Sequence, residues 1–488
     1  MQSRLAAHML NETLMGTAIY WFRRDLRLRD NTALLAAAAS GSPILPVYVL
    51  DEPDLGAGSR WWLHQSLARL DESLRKHGVP LYLLSGSAGT ALSQLARRTG
   101  ATSLYYTKRY EPRSRCQEQD LQTRLAGELQ IFACDDSSMT DHNDVLTQSD
   151  RPFRIFTPYW KKATASPEPA QPQPAPRALA VARHELGSLR LDDLELPSDS
   201  SVSYANLHDT WLPGEAGASQ SLDRLESVLV DYSSHRDRPD LDATSRLSPH
   251  LHFGEVSARQ VWHAANDYRT QPESLPGVAA FLRQLYWRDF SSYLLFHFPD
   301  IAKKPLRPEF SYFPWSENSS GLSDWKHGRT GFPIVDAGMR QLVSTGWMHN
   351  RVRMIVASFL VKDLTLPWQE GAAWFNETLV DADLANNSAS WQWVAGCGTD
   401  AAPFFRIFNP VLQGTKFDPQ GYYVRRWLPE LAVVANENIH QPWRDRAFMS
   451  GSIDYPEPVV DHAVARQEAL TRHRQMRELF SLVEYGQS

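Results

Sequence analysis

The rhythm of apolar and polar positions changes about halfway along the chain. In the first part, short apolar runs alternate with helical stretches. Ala18–Phe22 precedes the alanine-rich Thr32–Ala39, Ile44–Leu50 precedes Trp61–Lys76, and Leu81–Leu84 precedes Thr90–Arg98. Leu104–Thr107 then precedes Gln117–Leu125, and a last strand is expected near Leu129–Ala133. Alternating strands and helices imply a parallel sheet covered on both faces, a Rossmann-like α/β domain. No G-x-G-x-x-G follows the first strand, so a cofactor held there would need another mode of binding.

The stretch Ala163–Arg177 reads ATASPEPAQPQPAPR, too rich in proline for regular helix or sheet, and acts as a linker. Beyond about Gln220 the pattern turns to long amphipathic helices, the last over His462–Phe480. The expected organisation is an α/β domain over 16–150, an interdomain linker over 151–219 and an all-α domain over 220–488.

Composition narrows the class. With 488 residues, 42% of them hydrophobic and 22% charged, the chain can fill two or three packed domains. Its three cysteines, Cys116, Cys134 and Cys397, are too few and too scattered for a disulfide framework or a zinc site, which suits a reducing cytoplasm. No apolar run is long enough to span a bilayer, and Met1–Met15 lacks the features of a signal peptide. A net charge of −6 argues against a protein that coats polyanions over its whole surface, while leaving room for a local basic groove.

Candidate chemistry is concentrated in the helical half. Thr244-Ser245-Arg246-Leu247-Ser248 places short hydroxyls and backbone N–H groups at an expected helix start, which suits a pyrophosphate but also an ordinary N-cap. On Phe281–Phe290, Gln284, Trp287 and Arg288 share one helical face, either as a binding surface or as an amphipathic helix with a partly buried indole. Trp347–Met354 combines an amide, two guanidinium groups and a thioether; His349 within it is read as structural. Asp381 and Asp383 open the run DADLANNSASWQW; without further ligands nearby, hydrogen bonding to a polar cofactor fits them better than a metal.

These four clusters, in this order and spacing, resemble those of bacterial photolyases. WFRRDLRLRDN at Trp21–Asn31, TGFPIVDAGMRQL at Thr330–Leu342 and AAPFFRIFNPVLQGTKFDPQGYYVRRWLPEL at Ala401–Leu431 extend the likeness over nearly the whole chain. The sequence is identified as a member of the photolyase and cryptochrome family, in which an α/β domain is joined by a long linker to an all-helical FAD domain.

The resemblance implies FAD as cofactor. Tyr232 and Thr244, Ser245, Arg246, Leu247 and Ser248 would cradle its phosphates beside Arg288, with Arg353, Asp381, Ala382 and Asp383 on the ring and sugar and Asn387 facing N5. It implies a UV-damaged DNA partner, with Trp287 and Trp393 stacking on a flipped-out pyrimidine dimer and Arg236, Gln284, Asn350, Arg351, Met354 and Gln413 completing the pocket. Trp391, Trp368 and Trp315 match the family's electron chain. A monomer is expected.

Two positions depart from the dimer-repairing pattern: Gln284 and Asp289 stand where relatives usually carry Glu. Gln284 is shared with the branch that repairs the (6-4) photoproduct, but that branch usually has a paired histidine where this chain has Met348-His349-Asn350-Arg351, so cyclobutane dimers are the expected substrate. The stretch Tyr110–Arg115 lacks the Asn-Glu pair of folate-binding relatives, leaving folate, deazaflavin or no antenna chromophore open. The alternative function is a cryptochrome-like photoreceptor; the near absence of chain beyond Phe480 favours repair.

Overall fold

The computed structural model describes residues 16–486 except 137, 166, 183, 185, 197–205 and 401–404. Met1–Met15, the first four residues of the Ala401–Leu431 motif and the final two residues therefore lie outside the described residues.

Five strands, β1 (Ala18–Phe22), β2 (Ile44–Leu50), β3 (Tyr82–Ser85), β4 (Ser103–Thr107) and β5 (Gln130–Cys134), form one parallel sheet in the order β3-β2-β1-β4-β5. Ala18 pairs with Ile44 on one side and Ser103 on the other. Alternate residues of β1 enter opposite cores. Tyr20 and Phe22 join Leu34, Leu67 and Leu70, whereas Ile19 and Trp21 join Leu92, Leu95 and Leu121. Burial on both faces explains why β1 and β2 read as unbroken apolar runs with clear ends. β3 and β5 begin one residue later than their apolar runs suggest, and β4 one residue earlier.

Four helices cover this sheet: α1 (Thr32–Ala39), α2 (Ala57–Lys76), α3 (Ala88–Thr99) and α4 (Pro112–Arg124). The start of α2 lies four residues before the expected Trp61, at a small-residue segment with little helical signal. Those residues serve close packing: a Cβ at Gly56 would lie 2.0 Å from Asn376 O and one at Gly58 2.6 Å from Thr378 O, both in the helical domain.

The sheet changes direction between β1 and β4, where open α/β sheets usually bind ligands beyond the strand ends. Here that crevice is narrowed to a cavity of about 60 Å³, lined among others by Arg24, Thr107, Arg109, His252, Arg288 and Asp383. Asp25 accepts from Tyr20 OH (2.6 Å) and Thr107 Oγ1 (2.8 Å), Arg23 pairs with Glu118, and Arg24 reaches Glu52 and His252. At Gly254, φ +67°, an added Cβ would meet Arg24 O at 2.0 Å, so the helical domain closes directly on this edge.

The stretch expected as linker begins with a helix, α5 (Phe156–Ala163), whose Phe156 and Tyr159 belong to a helical-domain core. The proline-rich coil after it is pinned at both sides: Gln173 O accepts from Asp30 N and Gln173 N donates to Asp30 Oδ1, both at 2.8 Å, and His263 Nε2 donates to Pro169 O at 2.8 Å. The helices that shape the site are α6 (Leu225–His235), α7 (Ser248–Phe253), α8 (Leu275–His297), α9 (Pro333–Thr345), α10 (Asn350–Ser358), α11 (Trp368–Thr378), α12 (Leu384–Ala395) and α13 (Pro410–Phe417). The last helix, α14, runs His462–Gly486, past the expected Phe480. No helix among the described residues is long and apolar enough to cross a membrane.

Candidate functional site

Three segments distant in sequence meet at the carboxylate of Asp381. Arg353 Nη2, from α10, lies 3.0 and 2.9 Å from its two oxygens, and Ser248 Oγ, the first residue of α7, donates to Oδ2 at 2.6 Å. Arg353 is itself held by its Nε, which donates to Met348 O at 2.8 Å. Two residues on, Asp383 caps α12 by accepting from Asn386 N at 2.8 Å. Burial alone would raise the Asp383 carboxyl, but His252 and Arg288 outweigh it and hold the group well below the usual carboxylate range. The cap fixes the start of α12 and with it Asn387, whose Nδ2 donates to Ala372 O of α11 at 2.9 Å. Ala382 lies half-buried between the two aspartates.

The Thr244–Ser248 loop does not cap α7 in the usual way. Leu247 occupies the cap position with helical backbone angles and no side-chain cap bond. Arg246 is left-handed at φ +53°, a conformation that costs a non-glycine residue roughly 1–2 kcal/mol and is concentrated at binding sites. Ser248 is exposed although Asp381, its partner, is buried. Tyr232 is buried on α6, and Arg288 Nη2 donates to Leu251 O of α7 at 3.2 Å.

A cleft of about 600 Å³, reached by α10 through Arg351, two residues before Arg353, is lined by Ser234, Asp237, Arg238, Arg351, Arg406, Phe408, Gln413, Lys416 and Phe417. Arg351 and Gln413 were among the expected DNA contacts; Arg238, Arg406 and Lys416 were not. The alternating run His235-Arg236-Asp237-Arg238-Pro239-Asp240 reads as solvated charge, yet its acids brace its neighbours' bases. Asp237 accepts from Arg351 Nη2 at 2.7 Å and Asp240 from Arg238 Nη2 at 2.5 Å. Asn350 is exposed at the start of α10, and Met354 and Trp393 are half-buried.

On α8, Gln284, Trp287 and Arg288 are all half-buried, as one-face spacing suggests. Gln284 Oε1 accepts from Arg236 Nη2 at 3.1 Å, and its Nε2 donates to Ala280 O at 3.2 Å. The Trp287 ring is stacked on Phe156, 3.7 Å between centroids at 8°. Asp289 has a structural part: it is 1% exposed and accepts from Met139 N (2.8 Å), Thr140 Oγ1 (2.7 Å) and Tyr159 OH (2.6 Å).

Trp391 and Trp368 are each 2% exposed in one core, and Trp315 packs half-buried against it beside Phe313. Two of the three indoles are thus buried and the third, Trp315, is partly open to solvent. His349 caps α10, its Nδ1 accepting from Arg351 N at 3.2 Å. No group of three potential metal-ligating side chains occurs among the described residues.

Comparison with known proteins places this geometry. Residues 18–177 match the DNA photolyase family and residues 281–475 match the FAD binding domain of DNA photolyase. The chain is 42% identical over 470 residues to the deoxyribodipyrimidine photo-lyase of Agrobacterium fabrum, covering 94% of this chain and 98% of that one. It is 37% identical to cryptochrome-1 of Arabidopsis thaliana, covering 94% of this chain and 71% of the relative. The crystal structure of a class III photolyase from Agrobacterium tumefaciens superposes with a TM-score of 0.91 at 42% identity, covering 95% and 98% of the two chains. The chain belongs to the photolyase and cryptochrome family and carries its FAD-binding domain.

The residues present fit FAD. Arg246 Nε and His349 Nε2 are buried polar atoms without a protein partner, and both lie by the Asp381–Arg353 junction through the Trp347 ring, which Arg246 and Arg353 flank at 5.6 and 6.0 Å. A left-handed loop with an exposed serine, a fixed carboxylate and an oriented amide offer a flavin dinucleotide matching donors and acceptors.

Proposed function

We propose that this protein repairs cyclobutane pyrimidine dimers in DNA, driven by light, as a deoxyribodipyrimidine photo-lyase. The observation that carries the reading is the cleft: a chain of net charge −6 gathers Arg238, Arg351, Arg406 and Lys416 around one opening, with Arg351 on the same helix as Arg353 of the FAD-binding junction. Such a local basic rim binds phosphates and makes DNA affinity fall with salt.

Tyr232, Thr244–Ser248 and Arg288 hold the phosphates of FAD; Arg353, Asp381 and Asp383 hold its ring and sugar, and the Asn387 amide faces N5. Bound and reduced, FAD supplies the photoexcited electron donor that the splitting of a dimer requires. Trp287 and Trp393 present apolar faces to a flipped-out lesion, whose weakened stacking lowers the cost of extrusion. Gln284 and Arg236 set the polar edge of that pocket, with Asn350 and Met354 beside it. Arg351 and Gln413 reach the flanking backbone. Trp391, Trp368 and Trp315 carry electrons inward from the surface, because indole is readily oxidised and Trp315 is partly exposed while the other two are buried.

The test is repair of a thymine-dimer oligonucleotide under blue light by protein whose flavin has been chemically reduced, read by recovery of the unmodified strand. Repair in light and none in darkness is expected. Absence of light-dependent repair of this lesion overturns the assignment.

A further inference from the structure

An indole has two faces, and in this protein one face of Trp287 is already taken. Phe156 lies parallel to it at 3.7 Å and 8°, fully buried, and Phe290 meets the indole edge-on at 6.0 Å. The Phe156 ring is also met by the Arg283 guanidinium at 5.3 Å, which lies over Trp160 at 5.1 Å. Phe156 and Trp287 thus form two stacked layers, with Phe156 held in turn by its own contacts.

The helix that carries Phe156 cannot slide away. Tyr159, one turn on, donates to Asp289 at 2.6 Å, and Asp289 stands two residues beyond Trp287 on α8. The same carboxylate also holds Met139 and Thr140, so the stretch before α5, α5 itself and α8 are tied at one buried point. An aspartate suffices there because α5 comes close enough to meet the shorter side chain.

We infer that Phe156 is a positioning residue for lesion recognition, holding Trp287 flat with a single free face so that an extruded pyrimidine adds as the next layer. This rests on the repair reading above. Phe156 itself touches no DNA. An unbacked indole can tilt and rotate, and a base stacking on it must then order it, which weakens binding. Stacking on an aromatic side chain is a main source of affinity for an unpaired base, whereas undamaged duplex is held through phosphates. Phe156 therefore governs discrimination and leaves general DNA affinity alone.

The experiment measures dissociation constants of the FAD-loaded protein for a thymine-dimer oligonucleotide and its undamaged counterpart, at one salt concentration. The variants are Phe156→Leu, Trp287→Leu and the pair combined. Phe156→Met provides a second flexible side chain of similar volume should the leucine variant fold poorly, and far-UV circular dichroism and bound FAD confirm the fold. Phe156→Leu is expected to weaken dimer binding roughly fivefold to tenfold, the range of one aromatic contact, with undamaged binding unchanged. In the Trp287→Leu background the same change is expected to have less than about a twofold effect, since no indole remains to be held. If the wild type prefers the dimer and Phe156→Leu and Phe156→Met keep that preference, the inference is overturned while the repair reading stands. An equal loss with and without Trp287 overturns it as well. A wild type that binds both oligonucleotides alike overturns the repair reading and the inference together.

Discussion

Arg353 and Asp381 meet end-on, one guanidinium nitrogen lying 2.9 and 3.0 Å from both carboxylate oxygens, at the point where α7, α10 and the approach to α12 converge. Asp381→Asn leaves this arginine, whose side chain is 23% exposed, without a counter-charge and weakens the bond from Ser248. Removing one partner of a buried pair costs about 3–5 kcal/mol, and the exposure of Arg353 reduces this to roughly 1–3 kcal/mol. The variant is expected to melt several degrees lower and to lose most of its FAD on purification. Flavin-to-protein absorbance together with a thermal melt checks both, and unchanged FAD content would remove Asp381 from the cofactor site.

Trp391 is enclosed by edge contacts from Phe375 at 5.1 Å and Trp325 at 6.2 Å, and Gly371 lies so close that an added Cβ would sit 2.0 Å from the indole. Trp391→Phe keeps an aromatic ring in that space and removes the oxidisable indole. The expected result is a FAD-containing protein that no longer photoreduces in the presence of an external donor, yet repairs DNA when reduced chemically. Time-resolved absorption supplies the measurement; unchanged photoreduction would displace Trp391 from the chain.

The α/β half was legible in its order and class because the three central strands β1, β2 and β4 are buried on both faces, and β1, β2 and α1 have the very bounds their patterns suggest. What escaped was set by tertiary proximity. Gly56 to Ser59 carry weak helical signal because the opposing backbone of residues 376–379 admits nothing larger. Phe156 and Tyr159 looked like part of a linker, since a stacking partner on α8, more than a hundred residues away, leaves no periodic trace. Arg238 and Lys416 in the cleft are single charges among many, and only the fold separates them from solvated ones. The DADLANN cluster was the opposite case: dense polar residues around a helix start, few ways to satisfy them, and a structure that joins them to Ser248 and Arg353.

His349 gives a prediction about pH. It is 3% exposed, its Nδ1 accepts from Arg351 N, and burial, reinforced by Arg351 and Arg353 and opposed by Asp237, pushes its pKa down to about 4. A histidine of depressed folded pKa adds stability that is present above its unfolded value of about 6.5 and is lost as pH falls towards 4, by up to roughly 3 kcal/mol. His349→Asn keeps an acceptor for the Arg351 N–H but cannot titrate. At pH 7.5 the variant is expected to be the less stable by about 1 kcal/mol, as for other buried polar substitutions, and the gap should close or reverse by pH 4.5. Denaturant unfolding at several pH values checks this, and a difference that stays constant with pH would show that His349 is not held neutral.

The last prediction turns on Gln284, where the pocket departs from the glutamate of dimer-repairing relatives. The amide is already committed at both ends: Oε1 accepts from Arg236, and Nε2 donates to Ala280 O. Its donor must leave the α8 backbone before it can serve charge developing on a lesion. A protonated glutamate could keep the Arg236 contact through its carbonyl oxygen, which accepts, and turn its O–H donor towards the base, where the amide donor is held by the α8 backbone. Losing a preorganised donor to developing charge costs roughly 2.7–4 kcal/mol in enzymes, and exchange of one polar group for another costs less, so the effect should be modest. Gln284→Glu is expected to raise the quantum yield on a thymine-dimer oligonucleotide about twofold to threefold, a fraction of that range, with FAD content unchanged. A (6-4) photoproduct oligonucleotide run in parallel separates the alternatives. Repair of only that lesion by the wild type, abolished by Gln284→Glu, would move the substrate to the other branch of the family. Repair of neither lesion by either protein would favour a photoreceptor in which the same pocket serves signalling.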